Sequence, residues 1–221
     1  MATESLTIAP VFSVGPVDIT STVLTTWVIT VALGLSGWLT SRRLQLDPGP
    51  LQTALEGIVL TIESAVTEVA PQYARQLLPF IGSLWIYLVV ANLVGLIPGF
   101  HSPTRDLSAT GALALLVFLS THWFGIRIRG MRGYLRHYLS PNPILLPFNL
   151  ISEVTRTVAL AVRLFGNMMS LEMAALLILM VAGFLAPVPI LMLHIIEALV
   201  QAYIFGMLAL IYVAGGIQSQ H

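Results

Sequence analysis

The sequence has no cysteine and no lysine, and it carries few charges of either sign. Without cysteine there is neither a disulfide framework nor a thiolate metal site, and no redox compartment can be read from the chain. The ten basic residues are all arginine and are balanced by ten acids. No long basic run exists to form the concentrated positive surface that nucleic-acid phosphates require, so nucleic acid is excluded as a partner. Charged residues make up 9% of the 221 and hydrophobic ones 57%. Soluble domains carry about a quarter charged residues, so a soluble globule is excluded as well. A Gly-rich phosphate loop, a His pair at helical metal spacing and a Ser-His-Asp order are also missing, which argues against an intrinsic enzyme and leaves no cofactor or metal to expect. The first eighteen residues hold Glu4 and Asp18 but no basic residue, so they lack the positive segment of a cleavable secretory signal and read as retained. No low-complexity stretch or internal repeat divides the chain, which reads as one membrane domain over 1–221.

What is present is apolar sequence in runs. A spanning helix needs roughly 20 mostly apolar residues, and Ile19 to Thr40, Leu78 to Pro98 and Leu107 to Ile126 meet that length. The first run ends at Arg42 and Arg43, before Asp47-Pro48-Gly49-Pro50, a turn. Leu51 to Gln76 interleaves Glu56, Glu63, Glu68 and Arg75 with Leu55, Ile58, Val59, Ile62, Val66 and Val69, the pattern of one amphipathic helix lying at the interface. Two further runs, Leu146 to Phe184 and Val188 to Gly215, are separated only by Ala186-Pro187-Val188-Pro189 and form a helical hairpin, about 146–217 with its flanks. The fold class is therefore an all-α integral membrane protein with five membrane-crossing helices plus one interfacial helix. At 1.5 Å per residue the first hairpin helix would be about 57 Å long against a hydrocarbon core of about 30 Å, so the hairpin is expected to tilt strongly.

Arg42, Arg43 and Arg75 flank one loop and Arg127, Arg129, Arg132 and Arg136 fill another, while only Arg105 falls in a loop of opposite sidedness. The positive-inside rule then places the N-terminus outside and the C-terminus in the cytoplasm. Arg105 and Asp106 read as a solvated outer pair, and Asn92, His122 and Trp123 as packing or hydrogen-bonding groups.

The hairpin carries the chemistry. Arg163 lies deep in a span, where a guanidinium costs about 2.5–3.5 kcal/mol on insertion scales. At 100° per residue Arg156, Asn167 and Ser170 share its face within about 40°, and Glu172 points the opposite way. On the partner helix His194, Glu197 and Gln201 are spaced i, i+3, i+7 within a sector of about 60°, and Tyr212 extends the stripe. Counted from the Pro187 turn, Glu172 and His194 lie toward the outside, Arg163 and Gln201 deeper, Glu153 and Arg156 deeper still. Carboxylates and imidazole exchange protons with water, whereas arginine stays charged, so Arg163 attracts an anion but cannot relay a proton. A fixed charge between two polar half-pathways blocks a straight leak and requires a mobile carrier, which this chain does not contain. Each feature alone has a plainer reading: Arg163 as a structural ion pair, Glu153 as a helix-end charge, His194 as an interhelical hydrogen bonder. Six such residues on one hairpin favour ion transport over scaffolding.

The run Arg163-Leu164-Phe165-Gly166-Asn167-Met168 with Glu172 nine positions after the arginine, His194 seven before Gln201-Ala202-Tyr203-Ile204-Phe205, and Asn92-Leu93-Val94-Gly95-Leu96-Ile97-Pro98-Gly99 together resemble subunit a of bacterial F-type ATP synthases. The resemblance runs from about the first span to the C-terminus. It implies a non-catalytic stator subunit of the cell inner membrane that supplies two aqueous half-channels to a rotating c-subunit ring, alongside the peripheral-stalk b subunits, the remaining synthase subunits and membrane lipid. It implies that Arg163 faces the ring carboxylates, with Asn167 beside it and Glu172, His194 and Gln201 in or near the half-channels, coupling proton transport to ATP synthesis or hydrolysis. Sodium is the alternative ion, and a secondary transporter the alternative class, though the inverted repeats or broken helices of one are not visible. Three features depart from the family: Thr157 rather than proline follows Arg156, Glu197 is an added carboxylate on the ion path, and the N-terminal region is short.

Overall fold

The computed structural model describes residues 10–14, 17–42, 44, 49–97, 102–139, 146–182 and 188–218. Two short strands, β1 (Pro10–Val14) and β2 (Val17–Thr20), pair antiparallel from Val14↔Val17 out to Pro10↔Thr20. They precede α1 (Ser21–Arg42), α2 (Pro50–Val69), α3 (Ala74–Val94), a 3-10 turn (Pro103–Arg105), α4 (Leu107–Leu139), α5 (Leu146–Ala182) and α6 (Val188–Gln218). The membrane body is helical as expected, and the hairpin is an addition to it. Among the described residues, five helical stretches are long and apolar enough to cross a membrane: Ser21–Arg42, Ala74–Val94, Leu107–Met131, Pro147–Val181 and Leu191–Ile217. The hairpin turn at Ala186 and Pro187 and the residues Arg43, Asp47, Pro48, Pro98 and Gly99 lie outside the described residues.

Several boundaries differ from the sequence reading. The first span, expected from Ile19, begins at Ser21 because Ile19 and Thr20 pair in β2, and the second, expected over Leu78 to Pro98, is the helix Ala74–Val94. The run expected as a single helix from Leu51 to Gln76 ends at Val69, because Pro71 disfavours helical backbone at Ala70, which takes φ −139°. The chain then turns through 71–73 and Gln76 belongs to α3. The segment carrying Arg127, Arg129, Arg132 and Arg136, expected as a loop, is helical to Leu139 across a kink at Gly130. Gly130 has φ 74°, a left-handed conformation open to glycine at no steric cost.

α1 is nearly all exposed, with Ile29 its one buried residue among those described. Its hydroxyls close on carbonyls one turn back, Thr25 on Ser21 at 2.9 Å, Thr26 on Thr22 at 2.8 Å and Thr40 on Ser36 at 2.7 Å. Such bonding lets Ser and Thr sit in hydrocarbon without stranded donors.

The core lies where α3, α4 and α6 meet, with α5 against its side. Leu77, Ile81, Leu84, Trp85 and Leu88 of α3 face Ala198, Ala202, Phe205, Ala209 and Leu210 of α6, all buried. Small residues on α6 permit this approach, since lipid supplies no hydrophobic drive between helices and close packing must do so. Gly206 is the tightest point: a Cβ there would meet the Trp85 indole Nε1 at 2.6 Å and Cδ1 at 2.7 Å. Gly206→Ala is therefore expected to force α3 and α6 apart and destabilise the subunit by about 1–3 kcal/mol. Thermal dissociation of the purified complex would read this, and an unchanged midpoint would show the contact to be slack. At the far end of the bundle the Arg129 guanidinium donates through Nε, at 2.7 Å, and Nη2 to the Ile217 carbonyl, capping the last turn of α6.

Candidate functional site

The 37 residues of α5 make a helix about 55 Å long at 1.5 Å per residue, and most of its spanning surface is uncovered. Leu160, Ala161, Leu164 and Met168 turn inward, while Val154, Val158, Val162 and Gly166 face out with nothing within 4 Å of a Cβ on Gly166. Arg163 lies on this outward surface, exposed, and it has no ion-pair partner among the described residues. In a span, that leaves a full positive charge on an exposed face that it shares with Arg156 and Ser170.

Asn167, one turn on from Arg163, leans the other way and donates from Nδ2 to Gln201 Oε1 of α6 at 2.6 Å. Gln201 is 2% exposed, and its own Nε2 has no hydrogen-bond partner among the described residues. Two turns along α6 the His194 ring is also buried, with Nε2 likewise unpartnered among them. Between them Glu197 is half-buried and makes no hydrogen bond or ion pair among the described residues. The Glu172 and Glu197 carboxylates both lie within electrostatic reach of His194. Buried polar groups are rarely left unsatisfied, which makes this stripe of α6 the candidate site.

Glu172 is held. Arg105 of the 3-10 turn donates from Nη1 to its Oε1, both side chains being mostly buried. The turn is itself locked from beneath: Thr104 donates to Asn92 Oδ1 at 2.8 Å, Ser102 to the Ala91 carbonyl at 2.8 Å, and Asn92 Nδ2 to the Ala198 carbonyl of α6 at 3.1 Å. Asn92 is hydrogen-bonded as expected. The expected Arg105–Asp106 pair is not what forms. Asp106 instead accepts the Ser108 N–H at 2.9 Å and begins α4, which leaves the guanidinium to reach α5.

Glu153, expected as a helix-end charge, faces α4, where His122 Nε2 lies 3.5 Å from its Oε2 while His122 Nδ1 sits 2.9 Å from the Phe118 carbonyl. Arg156 stands over the Tyr212 ring at 5.8 Å. The structure thus brings Asn167 and Gln201 into contact and His194 near Glu172 and Glu197, and it leaves Arg163 outside that group. Arg105 and His122 are the members that sequence reasoning missed. The isolation of Arg105 in an otherwise arginine-free loop was the one signal of it.

These features define a polytopic α-helical membrane protein with a polar seam between α5 and α6 and an exposed guanidinium on the open side of α5, without an ion-pair partner among the described residues. The family model described as ATP synthase A chain matches residues 23–214. ATP synthase subunit a 2 of Pelobacter propionicus is 67% identical over 208 residues, covering 94% of this chain and 91% of that protein. ATP synthase subunit a 1 of Hahella chejuensis is 68% identical over 206 residues, covering 93% and 88%. ATP synthase subunit a of Legionella pneumophila is 57% identical over 209 residues, covering 94% and 91%. The chain belongs to the ATP synthase A chain family, the membrane-sector subunit a of F-type ATP synthases.

Proposed function

We propose that this chain is the stationary half of a rotary ion motor, presenting Arg163 to a ring of c subunits that each carry an ionisable carboxylate. The observation behind this reading is the exposed Arg163 on the open face of α5, with no counter-ion on the described part of its own chain. A guanidinium facing hydrocarbon is unfavourable by several kcal/mol, and a carboxylate arriving from another subunit removes that cost. Because a fixed cation favours each carboxylate as it ionises but cannot itself give up a proton, it admits carriers one at a time and closes the direct route between the two sides.

In this reading the half-pathways run on either side of the arginine. Glu172, His194 and Glu197 serve the outer one. Asn167 and Gln201 lie beside the arginine, and Glu153 with His122 lies toward the inner side. An ion entering from one side neutralises a ring carboxylate, the ring turns through the lipid, and the ion leaves on the other side. Each charge crossing supplies about 2.3 kcal/mol per 100 mV, so several crossings accompany one ATP. The subunit itself makes and breaks no covalent bond. The stripe of carboxylates and imidazole suits protons. Sodium is the second reading, favoured by Glu197, a carboxylate free to act as an oxygen ligand on that stripe.

The peripheral-stalk b subunits and the rest of the synthase complete the assembly in the bacterial inner membrane, with the arginine-rich end in the cytoplasm, the N-terminus outside and 1–221 acting as one membrane unit. ATP-driven pumping by the complete complex in vesicles, followed as pH-gradient formation with and without sodium, tests the reading. A gradient indifferent to sodium names the proton, and sodium uptake that is required for ATP hydrolysis names sodium. Gln201→Leu, which leaves the Asn167 amide beside Arg163 without its acceptor, is expected to lower pumping about tenfold, the equivalent of about 1.4 kcal/mol. Pumping at the native rate would remove Gln201 from the pathway.

A further inference from the structure

A cleft opens between α3 and α4 at the arginine-rich end of the bundle, remote from the Arg163 seam. Its volume is about 600 Å³ and it is lined by Arg75, Gln76, Pro79, Phe124, Arg127 and Ile128. We infer that this cleft is a binding site for the headgroup of an anionic phospholipid, held through its phosphodiester by Arg75 and Arg127.

The placement of the two arginines comes first. Arg75 is the second residue of α3, and Arg127 lies four residues before the end of the Leu107–Met131 span. Successive spans run in opposite directions, so both guanidiniums lie at one membrane surface, at the depth of lipid phosphates. Both side chains are exposed, and neither has an ion-pair partner among the described residues. Two uncommitted guanidiniums line the same cleft, and each offers the planar fork of donors that binds a phosphate through two parallel hydrogen bonds. Arginine pockets between membrane helices at this level recognise anionic headgroups for that reason.

The remaining lining argues for a lipid over a soluble anion. Pro79 lies one turn deeper than Arg75 on α3, and Phe124 lies one turn deeper than Arg127 on α4, its ring tilted against Phe80 with centroids 5.8 Å apart. Polar groups dominate the surface of the cleft, and Pro79 and Phe124, one turn below the two arginines, add a short apolar wall against which the glycerol backbone of a phospholipid can rest. A free phosphate would use the arginines and leave that wall to water. Phosphatidylglycerol, whose headgroup charge is that of its phosphodiester alone, is the occupant that two guanidiniums favour over a zwitterionic lipid. The volume is many times what a phosphate alone fills and accommodates the phosphate together with its glycerol backbone.

The test is photo-cross-linking in the complete complex, reconstituted into vesicles of equal parts phosphatidylglycerol and phosphatidylcholine. One lipid at a time carries a diazirine near the glycerol backbone, and adducts are mapped by peptide mass spectrometry. The inference expects phosphatidylglycerol adducts on 75–79 and 124–128 at least fivefold above those of phosphatidylcholine and unaffected by excess inorganic phosphate. It expects at least a fivefold fall in Arg75→Gln/Arg127→Gln and retention in Arg75→Lys/Arg127→Lys. Both arginines are exposed, so assembly of these variants is expected and is checked by co-purification. Should the glutamine pair fail to assemble, the comparison of the two lipids on the native complex decides. Equal labelling by both lipids, labelling indifferent to the arginines, absence of adducts because another polypeptide fills the cleft, or loss of adducts to inorganic phosphate would each overturn the inference.

Discussion

Replacing Arg163 with alanine is expected to reduce ATP-driven ion pumping by the complete complex to background while the complex still assembles. The side chain is exposed and contributes no ion pair to the described fold, so its loss removes no internal support. Assembly tests this part of the expectation, since a structural arginine would drag the yield down with the activity. In the stator reading, what is lost is the positive potential that favours an ionised ring carboxylate at the interface and keeps the two half-pathways apart. On that reading a carboxylate approaching the alanine variant meets an apolar stretch at Ala159, the substituted position and Gly166, where ionisation is disfavoured by burial. Arg163→Lys is expected to recover little, because an ammonium loses its charge far more readily than a guanidinium in a poor solvent. Native pumping by the alanine variant would remove the basis of the stator reading.

Charge exchange at Arg105 and Glu172 gives the second large effect. Arg105→Glu places two acids together in a mostly buried setting, and Glu172→Arg places two guanidiniums there. Removing one partner of a buried pair typically destabilises by about 3–5 kcal/mol, and partial exposure here reduces that to about half. Each single variant is expected to pump at least tenfold more slowly or to assemble poorly. The double variant Arg105→Glu/Glu172→Arg restores one positive and one negative charge across the same gap and is expected to recover to within about threefold of native in both assembly and pumping. The coupling follows from the Ser102–Thr104–Asn92 network, which fixes the turn against α3 and α6 and holds position 105 within reach of Glu172 on α5. A double variant that assembles but pumps no better than the singles would show that a carboxylate is required on α5 itself. Neutrality of the pair would then not be enough.

The spans were legible because length and hydropathy are properties of the chain alone, and a 30 Å apolar slab reads them almost directly. The rotational positions of Asn167, His194, Glu197 and Gln201 were legible for a similar reason, since 100° per residue fixes which side chains share a helix face. Partner choice was not. Arg105 and Glu172 are 67 residues apart and His122 and Glu153 are 31 apart, and no periodicity tells an arginine to prefer a distant acid over the aspartate next to it. Asp106 was already committed to the first turn of α4, which becomes visible only when that turn is in view. Pro71 marks the break after Val69, but the amphipathic pattern continues on either side of it and hides the stop. The helix through Arg127–Leu139 is not legible because a dense run of arginines has the composition of a loop as much as of an exposed helix, and Gly130 marks its kink. The outward orientation of Arg163 also required the fold: the helix face was readable, but which face the other helices would cover was not.

The absence of native cysteine makes the central claim open to direct test, because a single introduced thiol in this chain is unique within it. Cysteines placed one at a time at Ala159, Gly166 and Ser170, exposed and within about 60° of Arg163 on α5, and at Leu160 and Leu164 on the buried side, would each carry a benzophenone in the complete complex and be photo-cross-linked. The stator reading expects adducts with c subunits from 159, 166 and 170 and none from 160 and 164. A face at 159–170 that captures only lipid, or a ring captured instead from another helix, would contradict it.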